Sequence, residues 1–339
     1  MRNPSIDGWN RRRFLTTGVL AGTGALLGLR SESPAAEPPP ETMRIRLVHS
    51  RSTCQAPLLT AEELLGSEGF KDVQYMRKGR VEANKALASG EADMTMGFNG
   101  NISIQVDGGD QVVMLAGVHP GCYELFGHNQ VHTIRDLKGK SVAVTDLGSG
   151  RHVLLAAMLR YVGLDPRRDV KFVTHPAPET IRLFAEGKID AFMAQPPEPQ
   201  ELRAKKIGHV IFNSMMDKPW SQYFCCVAAG NKEFVRKHPV ATKRALRAIL
   251  KGADLCAREP EHAARLMVDK GFTNNYEYAL QSMKEMQYDQ WRSLDAEDTL
   301  RFYSLRLHEA GMIKSSPQKI ISQGTDWRFW RELKKELKG

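Results

Sequence analysis

The 339-residue sequence predicts an α/β protein of two lobes with a helical carboxyl-terminal extension. Three observations lead there. Short strand-like runs alternate with segments of helical period from residue 44 to about 116, the same alternation restarts at Leu137 and runs to Phe212, and from about Phe234 onward apolar residues recur at helical spacing only. Strands joined through helices build mostly parallel sheets covered on both faces, and two such runs imply two lobes, each with its own core.

Taken in order, Arg44-Ile45-Arg46-Leu47-Val48 reads as the first strand and residues 57–65 as the helix behind it, with Pro57 in the first turn, where its missing N–H costs nothing. Residues 72–75 form a strand, 81–88 a helix stopped by Gly90, and 93–96 and 112–116 two more strands either side of another helix. In the second run, 141–145 is a strand, Gly148-Ser149-Gly150 a turn, and 151–162 a helix ended by Gly163. Residues 169–174, 189–194 and 210–212 complete its strands, with a helix over 179–186 closed by Gly187. In the tail, Leu246, Ile249, Leu250 and Ala253 share one helical face and Lys243, Arg244, Arg247 and Lys251 the other. Helices continue over 261–270, 276–285 and 297–309, and the surface they are expected to cover is the first lobe's sheet.

A chain with 42% hydrophobic and 26% charged residues can bury a large core, which excludes a disordered chain and a disulfide-stapled miniprotein. Its longest charge-free apolar run, 14–29, is shorter than the ~20 residues of a membrane span, so a polytopic membrane protein is excluded as well. The net charge of +9 is scattered among acids with no dense basic block. Nucleic acid is therefore not an expected partner, whereas anionic small molecules are.

Asn10-Arg11-Arg12-Arg13-Phe14-Leu15, a weakly apolar Gly- and Thr-rich stretch to Leu29, and then Ser33-Pro34-Ala35-Ala36 resemble a twin-arginine signal peptide. Gly18, Gly22, Gly24 and Gly28 would each weaken a competing basic-capped helix by about 1 kcal/mol. Residues 1–36 are thus expected to be the leader and 37–42 a Pro-rich linker, and the protein is expected in the periplasm. That compartment permits disulfides, and the five cysteines, Cys54, Cys122, Cys225, Cys226 and Cys256, leave at least one thiol over. On a strand, Cys225 and Cys226 would point to opposite faces, so they are expected as buried small hydrophobes and not as a pair.

Four motifs carry a wider resemblance: Leu137-Lys138-Gly139-Lys140-Ser141-Val142-Ala143-Val144, Gly148-Ser149-Gly150-Arg151-His152, Gly187-Lys188-Ile189-Asp190-Ala191-Phe192, and Gly90-Glu91-Ala92-Asp93-Met94 followed by Asn99-Gly100-Asn101-Ile102. In order and spacing they are similar to the periplasmic solute-binding proteins of ABC importers for nitrate, taurine and alkanesulfonates, a family that includes the fungal thiamine-pyrimidine synthases. The resemblance implies a periplasmic binding protein type II fold, with a ligand cleft between two lobes joined by crossings near 118–136 and 213–224. The lobes would be 43–127 and 220–339 for the first and 128–219 for the second. It further implies a monomer that meets an ABC importer permease in the inner membrane, with no catalysis, cofactor or metal.

Open α/β sheets bind ligands beyond the carboxyl ends of their strands, which here places the loops 50–56, 98–101, 146–152 and 194–198 at the cleft. In the third loop, Gly148 and Gly150 allow close backbone approach, Ser149 offers a hydroxyl, and the following helix presents free N–H groups to an anion. Arg151 adds a fork of donors suited to an acidic ligand, and His152 fits the family pattern, whereas Arg151 stands where members often carry a small residue. The competing reading makes Ser149 a helix cap and Arg151 a solvated first-turn residue. Gln55, Asn99 and Gln195 could hydrogen-bond a ligand through their amides or serve only as turn residues. In the fourth loop, Gln195-Pro196-Pro197-Glu198-Pro199 replaces the aromatic residue and Asp-Pro of sulfonate-binding relatives, so a sulfonate is not carried over as the substrate.

His119, Cys122 and Glu124, with His128 and His132 beyond, are the residue types of a metal site at a spacing that matches no established set, and are expected to pack the hinge. The sequence contains no HExxH, no phosphate-binding Gly-rich loop ending in Lys-Ser or Lys-Thr, and no ordered Ser, His and Asp set. The expected function is capture of a small organic, anionic solute for an ABC importer. Two alternatives are an enzyme on the same fold, like the pyrimidine synthases, against which the leader speaks, and a ligand-sensing partner of a membrane receptor.

Overall fold

The computed structural model describes residues 37–338, so the leader expected over 1–36 lies outside the described residues. Ten strands form two five-stranded sheets. The first takes β1 (Arg44–His49), β2 (Asp72–Arg77), β3 (Met94–Phe98), β4 (Val112–Pro120) and β10 (Phe224–Asn231) in the order β2-β1-β3-β10-β4. The second takes β5 (Glu124–Gly127), β6 (Ser141–Val144), β7 (Lys171–Thr174), β8 (Ala191–Ala194) and β9 (His209–Asn213) in the order β7-β6-β8-β5-β9. Strands β1, β2 and β3 pair in parallel, as do β6, β7 and β8.

Two strands were not expected, and both follow a crossing between lobes. β5 runs antiparallel between β8 and β9, and β10 runs antiparallel between β3 and β4, so each sheet is mixed where a mostly parallel one was expected. Since β5 belongs to the second sheet, the boundary drawn at residue 128 falls too late in the chain; the first crossing is the short link from Pro120 to Glu124. The second lies between Asn213 and Phe224.

Alternation of side chains fixes how the second lobe packs. Val142 and Val144 join the main core while Ala143, between them, joins a smaller cluster with Phe126, Phe184 and Phe192 on the other face of the sheet. The tail covers the first sheet as expected: the long helix Pro239–Arg258 buries Leu246, Ile249, Leu250 and Ala253 against the helix Ala56–Thr60 and the strands behind it. It also does more. The helix Ala296–Glu309 lies against Asn99–Asp107 of the first lobe and against Gly150–Tyr161 of the second, and Glu285 of the tail accepts two bonds from Arg203 in the second lobe, each 2.7 Å. Arg203 bonds the buried Glu124 of β5 at the same time.

Among the described residues, no helix is long and apolar enough to cross a membrane.

Candidate functional site at the inter-lobe cleft

The four loops anticipated at strand ends do converge, and contacts cross between the lobes there. Thr53 N donates to Pro196 O at 3.3 Å, Ser52 Oγ to the same carbonyl at 3.1 Å, and Asn101 Nδ2 to Gly148 O at 2.7 Å. A cavity of about 370 Å³ opens beside them, with Arg51, Arg77 and Lys78 on the first lobe's side and Asp146, Ser149 and Gly150 on the second's. Arg77 is braced by the Lys270 carbonyl and lies 5.0 Å over the Phe272 ring, while Lys78 pairs with Glu91 at 2.7 Å.

The candidate residues reach this region in different roles. Gln55 is buried and donates through Nε2 to Met96 O at 2.8 Å, leaving its Oε1 without a hydrogen-bond partner among the described residues. Asn99 donates to the carbonyls of Phe224 and Cys225, so it secures the start of β10 where the chain re-enters the first lobe. Ser149 is the N-cap of the helix Gly150–Tyr161, accepting from His152 N, as the competing reading had it. Gly150 allows a close approach between lobes: a Cβ there would collide with Tyr123 Oη and press on Phe98 Cβ at 3.3 Å.

Arg151 is neither solvated nor a free fork. Its guanidinium is held by Glu198 in a bidentate pair, Nη1–Oε2 2.5 Å and Nη2–Oε1 2.8 Å, and it also donates to Met193 O. Glu198, in sequence only part of the departing fourth loop, neutralises the cation next to the helix N-terminus. His152 turns its Nδ1 back to accept from Gly148 N at 3.1 Å and lays Phe172 edge-on at 4.7 Å. Burial holds its imidazole pKa below the ordinary value.

Gln195 leads to what the sequence did not reveal. Its Nε2 donates to Cys54 Sγ at 3.2 Å and lies 3.9 Å from Cys122 Sγ, both in a chamber of buried thiols at the cleft floor. Cys54, Cys122 and Cys226 bring their sulfurs within 4.8 Å of one another, and Cys225 Sγ is 3.3 Å from Cys122 Sγ. All five cysteines are free and buried. The opposite-faces expectation for Cys225 and Cys226 fails because the β10–β4 register slips on both sides of Cys226, a bulge that brings neighbouring side chains toward one side.

His119 closes the chamber. Its Nδ1 lies 2.7 Å from Pro120 O, and Cys54 and Cys226 are the thiols that act on its ring. Despite burial, the neighbouring thiols push the imidazole pKa well up, and hydrogen bonds from surrounding thiols hold Cys226 well below the ordinary thiol value. Burial drives Cys122 and Cys225 the other way. Glu124 does not join His119 and Cys122, because it is turned to Arg203.

Two α/β lobes, two short crossings and a polar cleft between them define the two-lobed fold of periplasmic binding proteins. The chain belongs to the NMT1-like family, whose model matches residues 39–268. Among solved structures, the periplasmic nitrate-binding protein NrtA of Synechocystis PCC 6803 is similar over 89% of this chain and 90% of that one, with a TM-score of 0.73 at 16% identity. The alkanesulfonate-binding protein SsuA of Xanthomonas axonopodis pv. citri, bound to MOPS, is similar over 83% and 96% respectively, with a TM-score of 0.66 at 15% identity. In sequence, the bicarbonate-binding protein CmpA of Synechococcus elongatus is 27% identical over 114 residues, which is 33% of this chain and 25% of that protein. The chain thus matches about a quarter of the length of this curated relative.

Proposed function

We propose that the chain is an extracytoplasmic solute-binding protein that captures a small organic anion between its lobes and hands it, unchanged, to an ABC importer permease from the periplasmic side. The observation that carries this reading is the cavity of about 370 Å³ at the cleft, within the ~300–1,000 Å³ range of small-molecule sites, with the Arg51 and Arg77 guanidinium groups on one wall and a helix N-terminus on the other. The second lobe's own cation, Arg151, is matched by Glu198, so the positive charge offered to a ligand comes from the first lobe. Binding proteins for nitrate, bicarbonate and alkanesulfonates among the relatives support the same reading.

The test is titration calorimetry of the mature protein against short carboxylates and alkanesulfonates, with nitrate and bicarbonate as inorganic comparisons. One anion class is expected to bind, with Arg51→Ala weakening it about ten- to 150-fold, the range for a charge-assisted contact worth ~1.5–3 kcal/mol. The ligand should be recovered intact by mass spectrometry after long incubation. Failure of the wild type to bind any of these anions, or appearance of a product, would overturn the reading.

A further inference from the structure

We propose that Cys54, Cys122, Cys226 and His119 bind a single thiophilic metal ion, zinc or copper(I), at the floor of the cleft. The donors come from three separate stretches of chain: the loop after β1, the end of β4 with the crossing that leaves it, and the bulged start of β10. Three sulfurs bound to one tetrahedral zinc at ~2.3 Å would stand about 3.8 Å apart, and the three here already lie within 4.8 Å of one another. The three sulfurs need little rearrangement to close around an ion.

The histidine is held as a ligand would be. Its Nδ1 donates to the Pro120 carbonyl at 2.7 Å, which leaves Nε2, without a hydrogen-bond partner among the described residues, as the nitrogen open to an ion. A backbone carbonyl on the far nitrogen is the usual outer partner of a metal-bound imidazole. Tyr288 lies edge-on to the ring at 5.4 Å and limits its rotation. The second lobe supplies no ligand but covers the chamber, with the Gln195 amide donating to Cys54 Sγ. Such a bond stabilises a sulfur ligand in its thiolate form, so the ion would be enclosed when the lobes meet and reachable when they part.

Three buried sulfurs gathered without a carboxylate among them, with the buried His119 imidazole beside them, favour soft ions and disfavour magnesium or calcium. Binding releases a proton from each thiol that is protonated beforehand, and no electron changes hands. This inference stands on the chamber alone and does not depend on the anion reading above.

The experiment adds zinc, copper(I) or, as a spectroscopic probe, cobalt(II) to the reduced mature protein. Expected are one ion per chain, sulfur-to-cobalt charge-transfer absorption, and protection of Cys54, Cys122 and Cys226 from alkylation in the wild type, read by peptide mass spectrometry. Cys54→Ser and Cys226→Ser should each weaken binding at least tenfold, while Cys256→Ser, whose thiol lies apart beside Thr60, should not. The protection readout uses no variant and so decides the matter even if a serine variant misfolds. No stoichiometric binding by the reduced wild type, protection that spares these three cysteines, or a Cys122–Cys225 disulfide whose reduction brings no metal binding would each overturn it. Anion titrations of metal-free and metal-loaded protein separate this failure from failure of the anion reading.

Discussion

Arg151 and Glu198 form a two-pronged ion pair inside the second lobe, their side chains only 8% and 13% exposed. Arg151 stands in the first turn of the helix that faces the cleft and Glu198 begins the helix after β8, so the pair fastens two cleft loops together. Removing one member of such a pair leaves a buried charge without compensation. Arg151→Ala is therefore expected to cost about 3–5 kcal/mol of stability by urea unfolding, and Arg151→Met combined with Glu198→Gln to recover most of it. A loss below about 1 kcal/mol for the single variant would mean that the pair exchanges freely with water.

Gly150→Ala should impair closure and folding together. The added methyl meets Tyr123, itself fully buried and unable to swing away, so overpacking of about 1–3 kcal/mol is expected. Small-angle scattering should show a larger radius of gyration than wild type in saturating ligand. Equal radii and equal melting temperatures would refute the close-approach role.

Acidification should weaken the fold before the carboxylates titrate. His49, stacked on Phe272 at 5.3 Å, and His152 both have imidazoles whose burial depresses their pKa below the ordinary ~6.5. The unfolded chain therefore takes up these protons first, so stability is full above about pH 6.5 and falls as pH drops toward the lower native values, by up to about 1.4 kcal/mol per pH unit for each histidine. Denaturant midpoints at pH 7 and pH 5.5 should show this decline, smaller in His152→Gln. An unchanged decline in that variant would remove His152 from the account.

Export is expected to depend on Arg11 and Arg12. With both changed to Lys, mature protein should fall severalfold in the periplasmic fraction and precursor should accumulate in the cytoplasm. Normal periplasmic levels, or export in cells lacking the twin-arginine translocase, would show that the leader is of another kind.

The strands that could be read from the sequence were those with period or β-branched content, such as Arg44–His49 and Ser141–Val144. Two could not. Glu124–Gly127 is too short to show a period and opens on a charged residue, and Phe224–Asn231 is built of Cys, Ala and Gly with a single β-branched Val227, so its neighbours on both sides impose its extended form. At the site, loop position was legible and chemical role was not. Gln195, Ser149 and Gly150 line the cavity, whereas Gln55 and Asn99 are fully buried outside its lining, Asn99 bracing β10, and Ser149 caps its helix. Positions 54, 122 and 226 share no spacing a motif could use; only the fold gathers them. The one sequence signal was the coincidence of His119 and Cys122 at the expected crossing, and Glu124, beside them in sequence, faces elsewhere.

The helix Ala296–Glu309, which rests on both lobes, gives the protein a built-in optical gauge. Trp220, in the second crossing, lies 5.1 Å from Phe302 of that helix and 6.0 Å from Tyr161 of the second lobe, so its indole is wedged among rings that belong to different bodies. Any rotation that parts the lobes must change this stacking and admit water to a ring now only 2% exposed. Trp291, Trp327 and Trp330 belong to the tail, among its own side chains and those of the first lobe, and would be carried along unchanged. Native tryptophan emission, with no label attached, is expected to shift to the red as the lobes part and to return with ligand, as a consequence of where this one side chain was placed.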